Sequence, residues 1–198
     1  MGDTVSISAK ATLRAAARSH RRSLPLAHRA RASIRAAHHF LRNRKLAGAE
    51  RIAAYLAAGS EIDPAPLIDA LLHAGRDVFV PKMRPQHPMH LVQLRAHAPL
   101  RAGRHGIVVP AQQAPRALLR ALDIVLLPLL AFDAAGRRLG SGVGAYDRLL
   151  ASRKASRRPL LIGYAFASQQ LPSIPEEPWD RRLDGVVTER GITWFTRA

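Results

Sequence analysis

The sequence predicts an α/β fold in three layers, with a largely parallel sheet and a pair of helices ahead of it. Three observations predict it. Short apolar runs alternate with helical stretches from residue 51 onward, the pattern of strand–helix–strand units. Hydrophobic residues make up 47% of the 198, enough to fill the core of one compact domain. The first 51 residues form a distinct block, rich in alanine and arginine and free of glycine between Asp3 and Leu46. We therefore expect a single domain over 1–198, with a basic helical segment over 1–47 and an α/β core over 50–198.

The elements follow in order. Ser8 reads as the N-cap of a first long helix, and Pro25 starts a second over roughly Ala27–Leu46. Arg51–Leu56 is a short apolar run suited to a buried strand. Asp63 and Pro64 open a helix through His73, which Gly75 ends. Asp77–Val80 reads as a strand stopped by Pro81, and His90–Leu94 as another. Residues 95–113 carry Pro99, Gly103, Gly106 and Pro110 and read as loop, and Ala114–Leu122 as a short helix. Ile124–Leu127 is a strongly apolar strand closed by Pro128. A glycine-rich loop over 136–144 leads into a helix from Tyr146 to Arg153. Leu160–Ala165, Gly185–Thr188 and Ile192–Phe195 are the last strands.

Composition narrows the chemistry. With 31 basic against 14 acidic side chains the net charge is +17, which favours anionic partners without choosing among them. Twelve of the basic groups lie between Lys10 and Arg51, against only Asp3 and Glu50 among the first 51 residues. No aromatic residue precedes Phe40, so this block offers no base-stacking platform and nucleic acid is not the expected partner. The chain has no cysteine, which excludes a disulfide framework, a thiolate metal site and a cysteine nucleophile. No apolar run is long enough to span a bilayer, and MGDTVSISAK lacks the pattern of a secretory signal, so we expect a cytoplasmic protein without a membrane partner.

The most informative local feature is RRLGSGVGAYDR, residues 137–148. Alternating Gly140, Gly142 and Gly144 allow backbone torsions that turn successive N–H groups toward one point, as a phosphate cradle requires. Arg137 and Arg138 stand beside it to add charge-assisted bonds, and Asp147 follows at a place suited to a phosphate-bound Mg²⁺. The loop is neither a Walker A motif, which needs Gly-Lys-Ser/Thr, nor a dinucleotide fingerprint, which follows its strand directly. A tight turn that merely needs glycine is the competing reading. HExxH and GxSxG are absent, and the nine histidines are scattered.

Four stretches, taken together, resemble the 5-formyltetrahydrofolate cyclo-ligase (methenyltetrahydrofolate synthetase) family: KATLR at 10–14, GSEIDPAPLIDALLHAGRDVFVP at 59–81, DIVLLPLLAFDAAGRRLGSGVGAYDRLL at 123–150 and IGYAFASQQLPSIPEEPWDRRLDGVVTERGI at 162–192. The resemblance implies a Rossmann-like sandwich that closes 5-formyltetrahydrofolate to 5,10-methenyltetrahydrofolate at the expense of ATP. The formyl oxygen attacks the γ-phosphate, N10 attacks the activated carbon, and ADP and phosphate leave. Such chemistry asks for positioning and charge neutralisation more than for an acid or base.

Position by position, Lys10 and Arg14 resemble the basic pair that reaches the ATP phosphates. Arg138, Leu139, Gly140, Ser141, Gly142, Val143, Gly144, Ala145 and Tyr146 resemble the nucleotide loop. Asp147 and Asp180 resemble the Mg²⁺ carboxylates, and Leu56, Glu61 and Ala145 the folate positions. Arg138 and Asp147 are the residues this implies for the chemical step. The implied partners are ATP and a reduced folate, polyglutamylated or not, and the implied state is a monomer. The chain departs from the family pattern at Ala145, where a tyrosine is usual, at Val143, and at Trp179, a candidate replacement for the missing ring. Ala145 also keeps open a binding protein that has lost turnover, and the charge keeps open a nucleic-acid-binding protein.

Overall fold

The computed structural model describes residues 2–83, 89–96, 100–102, 108–110, 114–151 and 158–196. Helices α1 (Gly2–Ser23) and α2 (Leu26–Arg42) come first, followed by a single turn, α3 (Arg44–Ala47). The core then runs β1 (Arg51–Ala53), α4 (Ala65–His73), β2 (Asp77–Lys82), β3 (His90–Leu94), β4 (Leu100–Ala102), β5 (Val108–Pro110) and β6 (Arg116–Ala117). It continues through β7 (Ile124–Leu127), β8 (Ala131–Phe132), β9 (Arg138–Leu139), α5 (Ala145–Leu150), β10 (Leu160–Tyr164), β11 (Gly185–Thr188) and β12 (Gly191–Trp194).

The main sheet has the order β12-β11-β10-β7-β1-β2-β3-β6. Its five central strands are parallel, and β12, β3 and β6 add antiparallel edges. Side-chain alternation along the strands divides the core into two layers. Ile52, Val78, Val80, Ile124, Leu126 and Ile162 face the α2 and α4 side, with Phe40 of α2 and Leu67 of α4 packed on them. Ala53, Phe79, Val125, Leu127, Leu161 and Val186 face the opposite side, with Leu150 of α5 and Leu129. Three layers result, as the apolar runs predict. No helix among the described residues is long and apolar enough to cross a membrane.

Several elements differ from expectation. The first helix extends back to Gly2, so Ser8 lies inside it and is not its cap. The second helix stops at Arg42 because Asn43 adopts extended torsions (φ −82°, ψ 120°) and its side chain accepts from Lys45 N at 3.1 Å, capping the separate turn α3. The strand after Arg51 ends at Ala53. Ala114–Leu122 holds no α-helix: Arg116–Ala117 pairs with β3, and Leu119–Ala121 is one 3₁₀ turn. The stretch 95–113 includes the paired strands β4 and β5, and Pro99, Gly103 and Gly106 lie outside the described residues. The last α-helix ends at Leu150, and Arg153 lies outside the described residues. Asp63 does cap the next helix as predicted, accepting from Ala65 N at 2.9 Å.

The β8–β9 hairpin aims Arg138, and a buried carboxylate shapes it. Asp133 accepts from the backbone N–H of Ala135 and Arg137, each at 3.0 Å, and from Ile174 N at 3.0 Å. Gly136 completes the turn at φ +75°. A methyl group there would stand 3.0 Å from the Leu183 carbonyl oxygen and from the Phe195 ring. Gly136→Ala therefore meets both a left-handed backbone and a rigid neighbour, and should cost about 2 kcal/mol. Thermal unfolding should show a midpoint lowered by roughly 4–8 °C; an unchanged midpoint would mean that the hairpin has slack.

Candidate functional site

The chain moves from β1 to β2 on one side and later returns to place β7 on the other, so the connections diverge at the carboxyl ends of β1 and β7. Open parallel sheets hold ligands at such a divergence. Here it carries a cavity of about 330 Å³. Tyr55, Leu56, Ala58 and Glu61 line it after β1, Pro128 to Leu130 after β7, and Met83 and Met89 on either side of the β2–β3 connection. The glycine loop supplies the remaining wall, from Gly140 to Asp147. Leu56, Glu61 and Ala145 thus come together in one mostly apolar chamber.

Glu61 is the acidic group on the chamber wall between β1 and α4. It accepts from Ala58 N at 3.0 Å and lies 3.7 Å from the Arg21 guanidinium. Burial pushes its pKa above the ordinary carboxylate value, while the Ala58 N–H and Arg21 pull the other way. Arg21 reaches in from α1, donates to Ser60 Oγ at 3.1 Å and to the Leu129 carbonyl at 3.4 Å, and leaves only 11% of its side chain exposed. Burial lowers its own pKa, chiefly against the pull of Glu61. Tyr55 donates to the Ile62 carbonyl at 2.7 Å, and burial holds its hydroxyl in the neutral form.

A second, polar cavity of about 260 Å³ lies on the other side of the glycine loop. Lys10, Arg14, Arg138, Leu139, Asp147 and Asp180 line it together with Gly140, Gly142 and Gly144. Lys10 donates to Asp180 Oδ2 at 2.7 Å and lies 3.8 Å from Glu177. Arg14 donates to the Gly140 carbonyl at 3.1 Å and packs over Gly142, where an added side chain would meet its guanidinium at 3.4 Å. Gly142 and Gly144 take φ +97° and +67°, conformations suited to glycine. Ser141, Val143, Ala145 and Tyr146 line the larger chamber instead.

Arg138 belongs to both walls. Its guanidinium pairs with Asp147, only 6% of its side chain is exposed, and its buried Nε has no hydrogen-bond partner among the described residues. An unsatisfied buried N–H costs free energy. The cavities share Arg138, Gly140, Gly142, Gly144 and Asp147. The two cavities adjoin along these five residues.

Two expectations are corrected. Arg137 does not join the cradle; it turns away to Glu176 at 3.0 Å and Asp133 at 3.3 Å. Arg182 and Arg137 hold Glu176 down to a pKa of about 2, so this cluster braces the hairpin from outside. Trp179 does not replace a ring in the larger chamber, because it stands on the rim of the polar one. Asp184, close to Asp180 in sequence, accepts from Leu161 N at 2.8 Å and serves the sheet. Among the described residues no group of three or more His, Asp or Glu stands ready to hold a metal ion.

Sequence reasoning missed Arg18, Arg21 and Glu177 as site neighbours. The signal was present: Lys10, Arg14, Arg18 and Arg21 recur at helical spacing on one face of α1. Arg18 donates to the Ser141 carbonyl at 2.6 Å, so all four reach the site from that face.

A family model described as the 5-formyltetrahydrofolate cyclo-ligase family matches residues 6–189. The chain is 37% identical over 144 residues to 5-formyltetrahydrofolate cyclo-ligase of Escherichia coli K12, covering 71% of this chain and 78% of that one. It is 34% identical over 190 residues to the cyclo-ligase of Mycolicibacterium smegmatis, covering 92% and 95%. Among solved structures, the 5,10-methenyltetrahydrofolate synthetase of Aquifex aeolicus superposes with a TM-score of 0.83 at 28% identity, over 96% of this chain and 94% of that one.

Proposed function

The chain belongs to the 5-formyltetrahydrofolate cyclo-ligase family, and from that premise we propose that its two chambers divide the reaction between them. It is an ATP-dependent ligase that closes 5-formyltetrahydrofolate to 5,10-methenyltetrahydrofolate with release of ADP and phosphate. The larger chamber takes the pterin and formyl group, with Leu56 and Ala145 as apolar walls and Glu61 as acceptor for pterin N–H donors. The polar chamber takes the triphosphate, with Lys10 and Arg14 on the phosphates and the loop from Arg138 to Tyr146 as the partition.

The observation that carries this reading is the shared wall. Phosphoryl transfer needs donor and acceptor in line, with the equatorial charge neutralised. Arg138 lines both chambers, so its guanidinium would lie between a formyl oxygen on one side and a γ-phosphate on the other. The donors there suit Mg²⁺: Asp147 and Asp180 offer two carboxylates, and this ion typically takes one or two plus substrate phosphates and waters. Bound between them, the ion would neutralise developing phosphate charge. Each carboxylate now pairs with a cation, Asp147 with Arg138 and Asp180 with Lys10. Phosphate and metal arriving together would exchange those pairs, passing the cations to phosphate and the carboxylates to metal.

The basic segment 1–47 and the core 50–198 act as one domain on this reading, since Lys10 and Arg14 complete a cavity built by the core. The enzyme works in the cytoplasm as a monomer. The test is incubation with MgATP and 5-formyltetrahydrofolate, following the near-ultraviolet absorbance of the methenyl product and release of phosphate. Equal amounts of both are expected; neither appearing with folded protein would overturn the reading.

A further inference from the structure

The polar chamber has one feature that phosphate binding does not use. Trp179 stands on its rim with 65% of its surface exposed, beside Lys10, Arg14 and Asp180. An indole this open presents a free π-face on which a flat ligand ring can stack. The turn that carries it is tied down on both sides. Asp180 N donates to the Glu177 carbonyl at 2.9 Å, Glu177 N donates to Asp180 Oδ2 at 2.9 Å, and Lys10 holds the same oxygen at 2.7 Å. The backbone is thus pinned while the indole remains bare.

The volume of the chamber bears on what covers the ring. About 260 Å³ is small against the roughly 300–1,000 Å³ of cavities that enclose a whole ligand of drug size. Its lining of one lysine, two arginines, three glycines and three carboxylates suits phosphates that carry a cation, and Trp179 at the rim is its one flat face. A nucleoside triphosphate seated by its phosphates therefore leaves its base outside the chamber, at the rim. We propose that Trp179 is the base platform of the nucleotide site: the purine of ATP stacks on the exposed indole while the phosphates lie among Lys10, Arg14 and the glycine loop. The proposal rests on the reading of the polar chamber as the triphosphate site. Stacking uses the π-face of the base and no hydrogen-bond code, so it gives affinity with little choice between adenine and guanine.

The chain has only two tryptophans, which makes the test direct. Trp194→Phe leaves Trp179 as the sole indole. MgATP and MgGTP titrated into that protein should quench its emission, with half-effect for ATP near the KM for ATP. Inorganic tripolyphosphate should compete with ATP for turnover yet leave the emission unchanged. Trp179→Ala should raise the KM for ATP about tenfold, the order expected of one base–aromatic stack, while the inhibition constant of tripolyphosphate moves less than twofold. Trp179→Phe should recover most of the loss. Saturating turnover with unquenched Trp179, or an unchanged KM in Trp179→Ala, overturns the proposal and leaves the phosphate site standing. Failure of tripolyphosphate to compete removes the phosphate site and the platform with it.

Discussion

Replacing Arg138 with methionine is expected to lower kcat/KM by about 10²- to 10³-fold while leaving the fold intact. The magnitude follows from what one well-placed donor contributes where charge develops in a transition state. Arg138 meets that description because its guanidinium lies in the wall shared by both chambers. Methionine keeps much of the aliphatic stem and removes the charge. It also leaves Asp147 without its cationic partner, so two losses are mixed in that variant. Asp147→Asn separates them. If Arg138 acts on the transferring phosphoryl group, Arg138→Met should lower kcat strongly, whereas Asp147→Asn should chiefly raise the Mg²⁺ concentration needed for half-maximal rate. Equal kcat and equal Mg²⁺ dependence in Arg138→Met and the unaltered enzyme would remove Arg138 from the chemistry.

The second large effect concerns Glu61 and is read from a pH profile. Burial raises the Glu61 pKa, and Arg21 holds the rise in check. The charged and titratable groups around it are Arg21 from α1, Tyr55 after β1 and Tyr146 of α5. Both tyrosines stay neutral because burial raises their pKa values. Beside the Ala58 N–H, Arg21 is then the neighbour that favours the ionised form of Glu61, the form that would accept from the pterin on the proposed reading. Affinity for the folate should fall as the pH drops through the raised pKa, above the usual glutamate value of about 4.3. Arg21→Met should move that acid limb to higher pH and raise the folate KM about tenfold at neutral pH. Arg21→Lys should restore part of both. Glu61→Gln should abolish the limb. A limb that does not move in Arg21→Met would reduce Arg21 to a structural tie. Linkage gives a companion result in the ligand-free protein. The native state binds this proton more tightly than the unfolded chain, so Glu61 makes stability fall as pH rises between the unfolded and folded pKa values.

The strands were legible where burial on both sheet faces writes itself as an unbroken apolar run. Ile124–Leu127 is one such case and matches the observed strand. Ala114–Leu122 misled because alanine, leucine and arginine favour a helix, whereas the side of β3 away from β2 offered Arg116–Ala117 a pairing that propensity cannot foresee. The second helix was overextended because Asn43 resembles any polar helix residue until its side chain is seen capping Lys45. At the candidate site, the alternation of Gly140, Gly142 and Gly144 ahead of Asp147 marks a loop, and the fold places all four residues along both cavities. Helical spacing puts Arg21 on one face with Lys10, Arg14 and Arg18, but its partners Ser60, Glu61 and Leu129 lie 39 to 108 positions away and only the fold brings them near. Arg137 misled for the converse reason: it adjoins Arg138, but it lies in the turn before β9, where Asp133 and Glu176 hold its side chain.

The contact between Lys10 and Asp180 spans 170 positions of sequence. During synthesis at about 5–20 residues per second, Lys10 leaves the ribosome roughly 10–30 s before Asp180. The first helix must wait all that time for the loop that completes its cavity. The cavity that Lys10 and Arg14 line is therefore completed only once Asp180 has been made, and a stalled chain lacking Asp180 lacks the pair that seats Lys10.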